Sequence, residues 1–211
     1  MYQAYARIIF PLFVLLVAAC AGGGGSGGGA SDASADRQSL TQMRLEANTG
    51  NADAQVALAD MLRLGIGAPS DVAEAARLYR KPAEMGNPLG QYNLGVLYLT
   101  GRGVVQNLPE AARWFAKAAD QGNPLAQYQL GVMYAKGQGV RLDRVKAFTW
   151  LTIAQPALAE ISQDDSWYTY WSEIKGALGS LPTLKNALGA ALSPADRDRA
   201  ERSARAWPSA S

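Results

Sequence analysis

The chain has 211 residues, 48% of them apolar, with 20 Lys and Arg against 18 Asp and Glu for a net charge of +2. That length suits one ordinary domain or two small ones, and the near-balance of charge offers no broad basic face to nucleic acid. There is no histidine, and Cys20 is the only cysteine, which excludes imidazole acid–base chemistry, Ser-His and Cys-His nucleophiles, intramolecular disulfides and CxxC metal sites.

The first element is an export signal. "MYQAYAR" supplies a short n-region with one positive charge at Arg7, and "IIFPLFVLLVAA", residues 8–19, supplies the apolar h-region. That run is shorter than the ~20 apolar residues of a membrane span, and Pro11 makes a permanent span less favourable. Residues 1–19 therefore read as a signal peptide. "VAAC", residues 17–20, resembles the lipobox of bacterial lipoproteins. The resemblance implies cleavage before Cys20 and acylation of its thiol with palmitate-like chains. Several chains anchor a protein stably where one holds it marginally, at about 0.8 kcal/mol per buried methylene. Ala21 at the next position implies sorting to the outer membrane.

The segment after Cys20, "AGGGGSGGGASDASAD" over residues 21–36, has almost no large side chain. Together with Cys20 it predicts a flexible tether over 20–36, of roughly 20–25 Å r.m.s. span. No Gly-Lys-Ser/Thr follows the glycines, so a phosphate loop is not supported. Residues 37–49 predict an N-terminal capping helix, with Leu40, Met43 and Ala47 at helical spacing.

From residue 50 to 157 the chain repeats with a period of 36. Units two and three, residues 86–121 and 122–157, agree at 16 of 36 positions. A period of this size predicts an α/α solenoid. Gly50, Gly86 and Gly122 open the units, and the pairs Gly65/Gly67, Gly101/Gly103 and Gly137/Gly139 divide each into two helical stretches. The first stretch carries Leu58, Leu94 and Leu130, then Leu62, Tyr98 and Tyr134 four residues later. The second carries Ala75, Ala111 and Ala147, then Leu78, Trp114 and Trp150 three residues later. Spacings of three and four place these on one helix face. Small residues at Ala59, Gly95 and Gly131 would let helices approach closely. Asp71, Asn107 and Asp143 recur once per unit, too far apart to share an ion, and fit N-caps of the second helices.

At these residues the chain resembles Sel1-like repeats, α/α relatives of tetratricopeptide repeats. The second unit matches their pattern at Gln91, Leu94, Gly95, Tyr98, Gly101, Gly103, Val104, Ala111, Trp114, Ala118 and Ala119. The first unit departs from it, with Ala59 for Gly, Leu62 for Tyr and Pro82 for Ala. Pro82 should kink or shorten its helix. The expected fold is all-α: a short right-handed solenoid of about three helix pairs with capping helices. Residues 158–180 read as an aromatic-rich insertion, with Trp167, Tyr168, Tyr170 and Trp171 close together. These either seal the end of the array or form an interaction patch. Residues 181–211 predict C-terminal capping helices, with Ser193 as N-cap, Pro194 at N1 and Trp207 near the end.

The family resemblance implies a scaffold or adaptor rather than an enzyme, with no cofactor and no metal. The expected role is a lipid-anchored scaffold that positions another protein in the bacterial envelope. It would be held to the membrane by its anchor, would face the periplasm, and would bind no nucleic acid. Tyr92, Asn93, Tyr128 and Gln129, one period apart on first helices, are the candidates for a partner-binding groove. Ser172 and Lys175 have the Ser-x-x-Lys spacing of penicillin-recognising enzymes, but Lys-Thr-Gly and Ser-Asp-Asn are missing. The alternative function is therefore a protein that binds or hydrolyses cell-wall fragments or β-lactams, with the aromatic stretch stacking on sugar rings.

Overall fold

The structure is a computed structural model that describes residues 29–161 and 170–207. Cys20, Trp167 and Tyr168 lie outside the described residues, as does the signal peptide. Among the described residues there are nine α-helices and no strand. They are α1 Gly29–Asn48, α2 Ala52–Leu64, α3 Val72–Glu84, α4 Pro88–Thr100, α5 Leu108–Asp120, α6 Pro124–Lys136, α7 Arg144–Ile161, α8 Trp171–Ala191 and α9 Pro194–Arg205. The chain divides into two compact units, Met1–Gly90 with Arg102–Val104, and Gln91–Gly101 with Val105–Ser211.

The helix boundaries follow from local chemistry. A helix start leaves orphan N–H groups, and at the six helices from α2 to α7 an Asn or Asp side chain takes one up. Asn51 accepts from the Ala54 amide, Asn87 from Gly90 and Asn123 from Ala126. Asp71 accepts from Glu74, Asn107 from Glu110 and Asp143 from Lys146, at 2.9–3.1 Å. The second helices are thus capped by the residues that the spacing singled out.

In the first unit α1 packs on α2, and α2 on α3. Leu40, Met43 and Ala47 of α1 are all buried. The helix begins at Gly29, so residues 29–36 are helical rather than a coil. Ala30, Ala33 and Ala35 favour helix, and the Arg37 Nε donates to the Ala33 carbonyl. Pro82 does not shorten α3, which has the same 13 residues as α5. The proline sits in the last turn, and its carbonyl still accepts from the Asn87 amide at 2.9 Å. The equivalent Ala118 carbonyl accepts from Asn123 at 3.0 Å. Gly90 lies close against this turn, where a Cβ would stand 3.0 Å from the Pro82 Cβ. This unit holds a buried polar cluster. The Tyr79 hydroxyl donates to Asp60 at 2.6 Å, and Arg63 reaches Asp60 and Tyr79, each at 3.3 Å.

One contact recurs at the repeat period. A Cβ on Gly67 would lie 2.3 Å from the Asp36 carbonyl oxygen, on Gly103 2.5 Å from that of Val72, and on Gly139 2.3 Å from that of Leu108. Only glycine fits so close an approach of backbone to backbone, and each of the three has φ near +70°. Asp36 of α1 therefore stands where Val72 and Leu108 open α3 and α5. In register, α1 stands in the place of the second helix of a unit.

In the second unit α5 packs on α6, α6 on α7, and α8 and α9 both pack on α7. Gly95 and Gly131 allow close approach as expected. A Cβ there would meet the Phe115 ring at 2.8 Å and the Leu151 side chain at 2.9 Å. The C-terminal part departs from the expected boundaries. α7 continues to Ile161, and α8 runs unbroken from Trp171 through Pro182 to Ala191, across the expected boundary at 180/181. Its buried face is Ile174, Ala177, Leu181 and Leu188, a three-to-four spacing that spans that boundary. Ser193 caps α9 through the Asp196 amide, and Trp207 packs edge-on against Trp150 with centroids 4.8 Å apart.

Candidate functional site

Three of the expected groove and patch residues belong to the core. Tyr92 is 1% exposed, Asn93 4% and Tyr170 2%. The Tyr92 ring lies 5.8 Å from Phe115 and 6.0 Å from Tyr170, edge-on to the latter. Asn93 Nδ2 donates to the Tyr170 hydroxyl at 2.7 Å. Tyr170 takes the packed alternative rather than the exposed patch, and Tyr92 and Asn93 present no surface to a partner, which corrects their assignment to a binding groove. The physical reason is the helix they sit on. α4, "PLGQYNLGVLYLT", carries no charged residue and is buried continuously from Leu89 to Gly95, so it has no single solvent face.

Tyr128 and Gln129 on α6 are half-buried. The Tyr128 hydroxyl shares a 2.6 Å hydrogen bond with Ser180 of α8, so that group already has a structural partner. Trp171 opens α8. The Ser172 hydroxyl is bonded to Glu173 at 2.7 Å, and no bond joins it to Lys175, so the Ser-x-x-Lys spacing does not produce a Ser–Lys pair. Among the described residues no group of His, Cys, Asp and Glu could hold a metal ion.

The described surface does contain a cleft that sequence reasoning missed. It lies in the first unit between α1, α2, the loop after α2 and α3, and has a volume of about 630 Å³. Leu58, Leu62 and Leu78 line its apolar part, with Arg44 and Glu74 among the polar residues at its edge. Leu58 and Leu62 are buried, Leu78 is half-buried and Arg44 is exposed. Asp71 and Glu74 are engaged, the first as the α3 cap and the second with Arg77. Arg44 makes no ion pair among the described residues. The signal was in the repeat alignment: Leu62 stands where the other units have Tyr98 and Tyr134, and Leu78 where they have Trp114 and Trp150.

One carboxylate is electrostatically distinctive. Asp120, the last residue of α5, has its pKa raised above 3.8 by partial loss of hydration.

Comparison with known proteins bears on this geometry. The family model of the Sel1 repeat matches residues 52–87, 88–123 and 124–154. Each match begins at the first residue of α2, α4 or α6. A crystal structure of a Sel1 repeat protein from Oxalobacter formigenes is 46% identical over 58% of this chain, with a TM-score of 0.53. A protective antigen of uropathogenic Escherichia coli, c5321, which displays an SLR fold, aligns with 98% of this chain at 25% identity and a TM-score of 0.64. The chain spans 36% and 40% of the lengths of these two proteins. A search of curated proteins returns no match.

Proposed function

Because the chain carries three Sel1 repeats in an all-α helical-repeat fold of the solenoid class, we propose that it is a lipid-anchored scaffold of the bacterial envelope that holds another envelope protein at the membrane. Sel1-like repeat proteins generally mediate protein–protein interactions and are typically non-enzymatic. The run of repeats is the observation that carries the binding role. The anchoring rests on "VAAC" at the end of an apolar run, followed by a glycine-rich stretch. Acyl chains on Cys20 would place the body beside a membrane, with the outer membrane favoured by Ala21. No helix among the described residues is long and apolar enough to cross a membrane itself.

Intact mass of the membrane-purified protein, beside a Cys20→Ala variant, tests the anchor. The expected result is a chain that begins at Cys20 with added acyl mass, and a variant that leaves the membrane fraction. An unmodified soluble chain would overturn the anchor. Crosslinking at the membrane, followed by reconstitution of the crosslinked pair from purified components, tests the scaffold. Failure of every crosslinked pair to reassociate would overturn that part.

A further inference from the structure

We propose that the cleft between α1, α2 and α3 receives an aromatic side chain of a protein partner, with a neighbouring carboxylate of that partner on Arg44. This deepens the protein-binding reading and rests on it. Two independent observations converge on it.

The first is a deficit of bulk. The repeat frame places a Tyr and a Trp at these positions in the other two units, Tyr98 with Trp114 and Tyr134 with Trp150. The first unit has Leu62 and Leu78 instead, and it is there that a cleft of about 630 Å³ opens. That size lies within the roughly 300–1,000 Å³ of small-ligand sites. An aromatic ring inserted from outside would restore what the other units supply from within. Aromatic anchors in such pockets dominate protein interfaces.

The second is charge. Of the charged groups at the edge, Asp71 is committed to its cap and Glu74 to Arg77. Arg44, on the α1 wall, has no ion-pair partner among the described residues. A guanidinium presents a planar fork of donors that matches a carboxylate. Arg44 is therefore the charged lining group left to take a carboxylate from outside, and its complement is an acidic residue beside the aromatic one.

The probe is an acetylated, amidated Gly-Asp-Trp-Asp-Gly peptide, titrated calorimetrically into the full chain in detergent micelles. Its counterpart has Lys in place of both Asp residues. The acidic peptide should bind saturably, and the basic one at least about tenfold more weakly. Leu78→Trp should abolish binding by filling the cleft, and Arg44→Glu should weaken it about tenfold or more. A thermal melt establishes that each variant folds. Should Leu78→Trp fail to fold, the exposed Arg44→Glu and the conservative Leu62→Tyr carry the test. Absence of heat at millimolar peptide, equal binding of both peptides, or binding untouched by these variants would each overturn the proposal. So would N-acetyltryptophan binding as tightly as the peptide, since the occupant would then be a small molecule. If a reconstituted partner still binds a Leu78→Trp chain that has no cleft, the cleft assignment falls and the scaffold stands.

Discussion

Asn93 and Tyr170 are 77 residues apart in the chain, yet the Asn93 amide donates to the Tyr170 hydroxyl at 2.7 Å with both side chains buried. The bond ties α4 to the residue just before α8. Removing it with Tyr170→Phe should destabilise the chain by about 1–2 kcal/mol and lower Tm by about 2–8 °C. Asn93→Ala should cost a similar amount. The double variant should cost less than the sum, a non-additivity of about 1 kcal/mol in a double-mutant cycle. Additive losses in thermal melts would mean that the bond contributes nothing.

Pro82 and Gly90 form a second coupled pair. The equivalent positions in the next unit are Ala118 and Ala126. Gly90→Ala alone gains about 1 kcal/mol of helix propensity but brings a Cβ to 3.0 Å from that of Pro82, so its net effect should be neutral or destabilising. In a Pro82→Ala background the contact persists, because alanine keeps the Cβ and the Ala83 amide nitrogen lies at 3.1 Å, so the same change should again be neutral or destabilising. Denaturant midpoints of the four chains check this, and a gain of about 1 kcal/mol confined to the Pro82→Ala background would show that the proline ring sets the cost.

The periodic glycine contact predicts a graded response to alanine. At Gly139 a Cβ faces both a left-handed backbone and the Leu108 carbonyl oxygen at 2.3 Å. At Gly50 φ is +88° but nothing lies within 4 Å. Gly50→Ala should cost about 1–2 kcal/mol from backbone strain alone, and Gly139→Ala at least about 2 kcal/mol more, as overpacking against rigid backbone. Urea unfolding distinguishes them. Equal costs would show that the backbone yields at Gly139.

Asp120 supplies a pH-dependent prediction. Its raised pKa means that the fold disfavours the ionised carboxylate relative to the unfolded chain. The penalty is present above the folded pKa and disappears as pH falls through it toward 3.8. Asp120→Asn should therefore raise Tm at pH 7, with the gain shrinking as the solution is acidified. A gain that grows on acidification would contradict the sign.

The repeat fold was legible because its signals are local and recur. Capping residues, paired glycines and leucines at helical spacing return every 36 positions, so each unit corroborates the others. The buried face of α1 was equally visible in Leu40, Met43 and Ala47. The binding residues were less legible, for a physical reason. An aromatic and a polar residue side by side, such as Tyr92 and Asn93, look like a surface on an amphipathic helix. α4 has no charge along its length, and that absence marks an inner helix whose polar groups bond internally. For Tyr170 the sequence leaves packing and patch both open, because its partner Asn93 is remote in the chain. The end of α7 and the start of α8 were obscured by the loss of the period after residue 157, where no second copy exists for comparison. The cleft was hidden because it arises from two leucines, ordinary core residues whose meaning comes only from what stands at the same positions in the other units.

The offset of α1 by half a unit changes where the chain can be cut and rejoined. Blocks 36–71, 72–107 and 108–143 each open with the carbonyl and contain, four residues from their end, the glycine that meets it, Asp36 with Gly67, Val72 with Gly103, Leu108 with Gly139. A block framed this way carries its own joint, whereas one framed from residue 50 splits every joint between two blocks. Anyone lengthening the array would duplicate residues 72–107 after Asn107, so that the added length brings a complete seam with it.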